Sequence, residues 1–384
     1  MYIERVAQTT LSRYLSTFPA VGITGPRQSG KSTMLRHCLP DYDYVTFDLI
    51  RHIEHFESDP EDFLAQYEGR RVIFDEVQNV PKIFRYLKIR IDNHRDQYGQ
   101  FVLTGSNQFA YLRNVSESLA GRIGLMSLLP LQYSEMPQAL ADESICFGAY
   151  PELVLRNYHQ SDAWYDSYLQ TYLDKDVRAL SHIGDRRDFH RFIALLAARI
   201  SMSLDMTELS KELGVSVPTV KRWLSVLEAS YVIFLLPPFY ENFGKRIVKS
   251  PKVYFYDTGL VSHLTGIKTC AHYDKGPLAG ALFENFVIAN TKKILLHKGE
   301  YTELYYIRTQ DKSEVDLIVD YRDRRVLAEI KKSSTFSPRM ATGLKKIQRE
   351  EDQACVVYTG TNDRFGPKIQ LSHYTQFFDK LMRA

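Results

Sequence analysis

The sequence predicts an α/β protein of several domains: a parallel sheet with a helical lid, then a winged helix, then a second α/β domain. Three observations predict it. Up to about residue 135, short apolar runs (AVGIT, YVTF, RVIFD, QFVLTG) alternate with longer amphipathic stretches, the rhythm of buried parallel strands separated by helices. Between 136 and 205 the pattern lengthens in SDAWYDSYLQTYLDKDVRAL and RRDFHRFIALLAARIS without a clear strand, as expected of an all-helical connector. Beyond 206 two helical patterns lead into YVIFLLPP and KVYFYD; later the helix LFENFVIANTKKILL precedes the strands ELYYIRT, EVDLIVD and RVLAEIKK. The expected domains are 1–135, 136–205, 206–262 and 275–384, in keeping with 384 residues at roughly 100–200 per domain.

Composition narrows the class without naming a chemistry. A hydrophobic share of 44% and a charged share of 25% suit a chain that buries cores, which excludes a disordered protein. The net charge of +3 conceals an asymmetry. Residues 1–189 carry 20 basic and 25 acidic side chains, and residues 190–384 carry 29 basic and 21 acidic, so the second half is the one suited to a polyanion. A solvated basic surface accounts for that excess equally well. Cys38, Cys146, Cys270 and Cys355 are too scattered for a zinc site or a recognisable disulfide framework, which points to a reducing compartment. MYIERVAQTT has no apolar signal core, and YVIFLLPPFY is too short and too Pro-interrupted to span a bilayer. The expectation is a soluble cytoplasmic protein without a membrane partner.

The run GPRQSGKST follows the apolar AVGIT and opens a helical stretch, the context required of a GxxxxGK[ST] phosphate loop. The candidate nucleotide-binding residues are therefore Gly25, Pro26, Arg27, Gln28, Ser29, Gly30, Lys31, Ser32 and Thr33. Gly25 and Gly30 let the backbone turn so that successive N–H groups face phosphate oxygens at a helix N-terminus. Lys31 reaches the β- and γ-phosphates, Ser32 is placed to coordinate Mg²⁺, and Thr33 makes a loop or packing contact. In RVIFDEVQ a buried strand delivers Asp75 and Glu76 at its C-terminal end, where open α/β sheets bind ligands. Asp75 is the candidate for the Mg²⁺ shell and Glu76 for orienting or deprotonating the attacking water. Alone, such a pair is as readily a solvated strand end. The next strand, QFVLTGSN, ends in Thr104, Ser106 and Asn107, of which Ser106 is the candidate contact to the γ-phosphate or the water. Arg122, in SESLAGRIG, is either a surface arginine or a finger directed at a neighbouring subunit's nucleotide, which would require a homo-oligomer.

GPRQSGKST, RVIFDEVQ, FVLTGS, SLAGR with its following LLPL, and GAYPELVL together resemble the prokaryotic AAA+-type ATPases that carry a C-terminal domain of uncharacterised function. The resemblance spans almost the whole chain. It implies a P-loop NTPase fold and an ATPase with ATP and Mg²⁺ as its cofactors.

MTELSKELGVSVPTVKRWLSVLEAS sets Leu209, Leu213, Val220, Leu224 and Leu227 as internal positions of two helices, with Gly214 and Val215 in the turn and Ser216 as a cap. If the second helix enters a major groove, Ser216, Thr219, Lys221 and Arg222 face the DNA. Lys245, Arg246 and Lys249 of the wing would contact phosphates. A rigid protein-contact module fits the same pattern.

EVDLIVD places Asp316 on a strand, and RVLAEIKK places Glu329 and Lys331 on one face of the next. With Glu284 on the preceding helix, the set resembles the core of the PD-(D/E)xK nuclease superfamily, a restriction-endonuclease-like fold. The resemblance implies that the carboxylates hold a divalent metal while Lys331 stabilises developing charge. Val315 stands where the family name has proline, which leaves three readings open: a metal-dependent nuclease, a nuclease-like fold kept as a binding platform, and a surface ion-pair ladder.

Overall fold

A computed structural model describes residues 2–105, 118–173, 186–239, 250–309, 311 and 313–383. The chain forms two compact units. The first comprises Met1–Pro130 with the short segments Ala229–Tyr231 and Leu296–Gly299, and the second comprises Leu131–Glu228, Val232–Leu295 and Glu300–Ala384. The second unit thus contains most of the stretches read from the sequence as connector, helix-turn-helix and second α/β domain.

The first unit is built on a five-stranded sheet of β1 (Ala20–Thr24), β2 (Asp43–Thr46), β3 (Val72–Asp75), β4 (Phe101–Gly105) and β5 (Ile123–Ser127) in the order β2-β3-β4-β1-β5. Every pairing is parallel. Strand alternation explains why the sequence reads as unbroken apolar runs. Ala20, Val72, Phe74, Phe101 and Leu103 enter one core, which they share with Phe47, Phe56 and Phe63. Val21, Ile23, Ile73 and Val102 enter the opposite core with Leu11 of the Ala7–Leu15 helix and Met34 and Leu35 of the Lys31–Cys38 helix. Both faces are covered, so neither can be polar. Because the strands are parallel, the ends of β1, β3 and β4 lie on one edge of the sheet, and that edge carries Gly25, Asp75 and Thr104.

In the second unit, Asp205 caps the Met206–Leu213 helix by accepting from the backbone N–H groups of Thr207 and Glu208, and Gly214 ends it at φ 69°. The Val217–Ala229 helix follows. Leu209, Leu213, Val220, Leu224 and Leu227 are buried, as their spacing predicts. β6 (Ile233–Leu236) and β7 (Lys252–Phe255) form an antiparallel pair. The Ala279–His297 helix is buried on all sides by Leu282, Phe283, Phe286, Val287, Ile288 and Ile294. It precedes a mixed sheet of β8 (Glu303–Arg308), β9 (Glu314–Asp320), β10 (Arg325–Lys331), β11 (Gln353–Tyr358), β12 (Asp363–Phe365) and β13 (Ile369–His373). Its order is β12-β13-β11-β10-β9-β8, with β9 antiparallel to both β8 and β10, β10-β11-β13 parallel and β12 antiparallel to β13.

The structure pairs two of the four cysteines whose scatter in the sequence shows no disulfide framework. Cys146 and Cys270, 124 residues apart in sequence, are joined as a disulfide with their Cα atoms 5.6 Å apart. Such a pairing leaves no trace in spacing, because the fold rather than the local chain brings the two sulfurs together. Cys38 and Cys355 are free thiols. Among the described residues no helix is long and apolar enough to cross a membrane.

Candidate functional site

The phosphate loop is set by backbone geometry before any side chain acts. Gly25 sits at φ 148°, and a Cβ there would run into the carbonyl oxygen of Leu128. Gly30 has φ 92° and forms the N-cap of the Lys31–Cys38 helix, and Gln28 between them is left-handed at φ 61°. The loop therefore curls with its helix N-terminus directed outward, a shape suited to an anion. The Lys31 ammonium donates to the carbonyl oxygens of Gly25 (3.0 Å) and Pro26 (2.8 Å). The Ser29 hydroxyl is fully buried and has no hydrogen-bond partner among the described residues.

Asp75 stands at the centre of the second half of the site. Its Oδ2 accepts from the Ser32 hydroxyl at 2.8 Å and from Tyr44. Its Oδ1 accepts from Thr104, whose hydroxyl also accepts the backbone N–H of Glu76 at 3.2 Å. Glu76 is half-buried and held at φ 59°, a conformation that costs a non-glycine residue energy and so must be imposed by its surroundings. Its carboxylate accepts from Gln78. Ser32 and Asp75 thus offer adjacent oxygens of the kind a hard cation prefers, and the glycine-lined loop with Lys31 fits a polyphosphate. The donor set suits ATP with Mg²⁺.

Sequence reasoning chose Ser106 over Thr104 on this edge. Ser106 lies outside the described residues, whereas Thr104 ties Asp75 to Glu76. Arg5 and Tyr44 were missed altogether. Arg5 is buried and donates to the carbonyl oxygens of Ser29 (2.8 Å) and Leu129 (2.6 Å). A lone arginine ahead of an amphipathic helix carries no local signal of such a role. Tyr231 is another contact without a motif: its hydroxyl lies 2.7 Å from that of Thr24, the residue preceding Gly25, and 3.1 Å from that of Ser127.

Arg122 forms a two-point ion pair with Asp92 of the Ile83–Asn93 helix, Nε to Oδ1 at 2.7 Å and Nη2 to Oδ2 at 2.9 Å. Hydrogen bonding to Arg122 holds the Asp92 carboxyl below its ordinary value, and the same bond raises the guanidinium above its own. Service as a finger requires that pair to open.

On the helix pair, Ser216 caps the second helix as expected, with its hydroxyl 3.3 Å from the Thr219 N–H and 2.9 Å from the Thr219 hydroxyl. Ser216, Lys221 and Arg222 are exposed, and Thr219 is half-buried. Lys245, Arg246 and Lys249 lie outside the described residues.

The structure brings Glu284, Asp316, Glu329 and Lys331 into one charged cluster, its carboxylates largely buried and the Lys331 side chain 39% exposed, and adds residues that the motif did not include. Lys331 lies 3.1 Å from Asp316 and 2.7 Å from Glu329, and Asp316 also accepts the Ile330 N–H at 2.8 Å. Lys252, buried on β7, lies 3.3 Å from Glu284 and 2.5 Å from Glu314, while the Tyr254 hydroxyl donates to Glu284 at 2.6 Å. Burial, then repulsion from Asp316, pushes the carboxyls of Glu284 and Glu329 above their ordinary values against the pull of Lys252 and Lys331 respectively. Burial alone would lower both ammonium groups, but the surrounding carboxylates outweigh it and raise them. Glu329 Oε2 is buried without a hydrogen-bond partner among the described residues. Among the described residues no three His, Cys, Asp or Glu side chains are grouped as metal ligands; the ammonium groups of Lys252 and Lys331 lie against the carboxylates instead.

Comparison with known proteins agrees with the site in the first unit. Residues 17–137 match a family described as an AAA domain. Residues 138–271 and 279–376 match two families described as domains of unknown function, DUF8612 and DUF4143. The uncharacterized protein Rv2008c of Mycobacterium tuberculosis is 32% identical over 363 residues, 94% of this chain and 81% of that protein. The uncharacterized protein Mb2031c of Mycobacterium bovis matches to the same extent. Among solved structures, a Walker-type ATPase of Pyrococcus abyssi aligns with 67% of this chain and 94% of its own at 14% identity and a TM-score of 0.46. The RuvB branch migration motor of Thermotoga maritima aligns with 60% of this chain and 89% of its own at 16% identity and a TM-score of 0.30. Neither likeness is close enough to carry a functional argument. At 32% identity over 94% of its length this chain belongs to one family with the two mycobacterial proteins, and the AAA match, the phosphate loop and the Ser32–Asp75 pair make residues 17–137 an AAA-type P-loop ATPase domain.

Proposed function

We propose that the first unit uses Mg-ATP binding and hydrolysis to control a nucleic-acid-facing second half. The observation that carries the nucleotide part is the unbroken run of hydrogen bonds from Ser32 through Asp75 and Thr104 to Glu76, which fixes the metal-shell and water-activating candidates relative to the phosphate loop. Lys31 exchanges the Gly25 and Pro26 carbonyls for phosphate oxygens, while loop N–H groups hold the rest of the polyphosphate. Ser32 and Asp75 would hold Mg²⁺, which offsets charge on the transferring phosphoryl group. Glu76 orients the attacking water and takes its proton. Ser106 completes this edge of the site, and Arg122 of a neighbouring copy in a homo-oligomer stabilises the developing charge once released from Asp92.

The nucleic-acid part rests on the exposed Ser216, Lys221 and Arg222 along one helix, in the half of the chain with the basic excess. In a winged helix, Thr219 would join them at the groove and Lys245 and Arg246 would bind phosphates. Phosphate release by wild type, Lys31→Ala and Glu76→Gln, each with and without duplex DNA, tests both parts. The expected result is turnover in wild type only, a loss of about 10²–10⁴-fold in Glu76→Gln, and stimulation by DNA. Equal turnover by wild type and Lys31→Ala would overturn the site, and indifference to DNA would overturn the coupling.

A second reading is favoured by one observation, the convergence of Glu284, Asp316, Glu329 and Lys331 in one charged cluster. In this reading the second unit is a PD-(D/E)xK-like centre that cleaves DNA under control of the nucleotide. Asp316, Glu329 and Glu284 would hold the divalent metal, which polarises phosphate and water. Plasmid nicking in Mg²⁺ or Mn²⁺ by wild type but not by Asp316→Ala is the expected outcome. Equal nicking by both proteins excludes the centre. If neither nicks while DNA still stimulates ATP turnover, the unit serves as a binding platform.

A further inference from the structure

Two buried side chains in the first unit, far apart in sequence, converge on the backbone of Leu129. Leu129 is fully buried just beyond β5, and both of its backbone polar groups are held by side chains distant in sequence. Its carbonyl oxygen accepts from Arg5 at 2.6 Å, and its N–H donates to Nε2 of His297 at 3.0 Å. The same Arg5 guanidinium donates through its other terminal nitrogen to the carbonyl oxygen of Ser29 inside the phosphate loop, at 2.8 Å. Ser29 and His297 are each completely buried, and Arg5 is 5% exposed.

His297 is itself fixed. Its carbonyl oxygen accepts from the Thr10 hydroxyl at 2.8 Å, and the next carbonyl, that of Lys298, accepts from Arg13 at 2.7 Å, both donors coming from the Ala7–Leu15 helix. Because Nε2 accepts a backbone N–H, the ring is a neutral tautomer carrying its proton on Nδ1. A buried guanidinium donating into a loop that accepts a polyanion also places positive charge beside it.

We propose that Arg5 and His297 are positioning residues of the nucleotide site: they grip Leu129 from its two backbone sides so that Arg5 holds the Ser29 carbonyl and keeps the phosphate loop in its nucleotide-accepting shape. This goes beyond the phosphate-loop and strand-end residues singled out in the sequence. His297 is the final residue of the helix that carries Glu284, so the loop's support comes from a part of the sequence outside the AAA match.

The test measures equilibrium binding of a fluorescent ATP analogue, together with KM and kcat for ATP, in full-length Arg5→Met, Arg5→Lys, His297→Leu and His297→Gln. Loss of a buried ionised donor is expected to weaken binding and raise KM by about tenfold in Arg5→Met, with kcat within about twofold. His297→Leu is expected to weaken binding by about threefold or more, and His297→Gln, which retains an acceptor, should recover part of it. A purely structural role would instead reduce the active fraction and so the apparent kcat, leaving KM unchanged. If Arg5→Met and His297→Leu fold and bind the analogue as wild type does, the proposal is overturned. Should either truncation fail to fold, the conservative pair decides: unchanged KM in both Arg5→Lys and His297→Gln overturns it, and raised KM supports it. Wild type that binds no better than Lys31→Ala removes the nucleotide site itself, an outcome distinct from wild-type binding that survives the Arg5 and His297 changes.

Discussion

Two glycines show how differently one residue type acts. Gly25 combines φ 148° with a Leu128 carbonyl oxygen where a Cβ would stand. Gly25→Ala is therefore expected to abolish ATP binding and to lower stability by more than the strain of positive φ alone. Gly214 has φ 69° and open space around the missing Cβ, so Gly214→Ala should cost only about 1–2 kcal/mol of left-handed strain. Denaturant titration of the two variants side by side checks the order, and an equal loss would contradict it. Glu329 offers a different residue-scale prediction. Burial and Asp316 raise its carboxyl above the ordinary 4.5, so the folded state binds that proton more tightly than the unfolded chain. Its contribution is fully present below the unfolded value and is lost as pH rises through the raised folded value. Glu329→Gln should show a flatter loss of stability than wild type above pH 4.5, measured as denaturation midpoints across that range. Parallel curves would argue that Lys331 neutralises Glu329 completely. At this scale the motif residues Lys31, Ser32 and Asp75 were legible because their spacing is local. Arg5, Thr104 and Lys252 were not, because each acts on a partner that only folding brings near.

Elements were legible wherever periodicity and capping agreed. The helix-turn-helix pattern places its five apolar positions correctly because one helical face must meet the unit's core, and Asp205 and Gly214 mark the ends of the first helix by the chemistry that ends helices. Asp205→Ala removes the acceptor for two orphan N–H groups. It should cost about 1 kcal/mol, or a fall of roughly 2–4 °C in the melting temperature of a unit this size. A thermal scan in which Asp205→Ala melts with wild type would show that water caps the helix equally well. Strands were read from unbroken apolar runs, and the parallel sheet explains the reading, since both faces of β1, β3 and β4 are covered. The order β2-β3-β4-β1-β5 was not legible, because apolar runs of similar composition fit several orders.

At the scale of the whole chain, the charge asymmetry makes a prediction about solution behaviour. If the basic second half meets DNA, affinity should fall steeply with salt, and Lys221→Ala should reduce the slope of log affinity against log salt by about 1. Binding that is insensitive to salt would favour a protein partner for the same helix. The family match supports the ATPase over residues 17–137 and leaves the rest to such measurements.

The sequence by itself determined the phosphate loop, the strand-end carboxylates and the helix-turn-helix pattern, because each is a local arrangement in which spacing alone fixes backbone shape and facing. Tertiary structure alone decided the pairing of Cys146 with Cys270, the capture of Asp75 by Tyr44 and Thr104, the locking of Arg122 onto Asp92, and the neutralisation of Glu284 by Lys252. It also decided that Arg5 and His297 meet at Leu129. These contacts depend on chain closure and packing over many residues, and a side chain's chemistry does not reveal which distant partner the fold will bring to it.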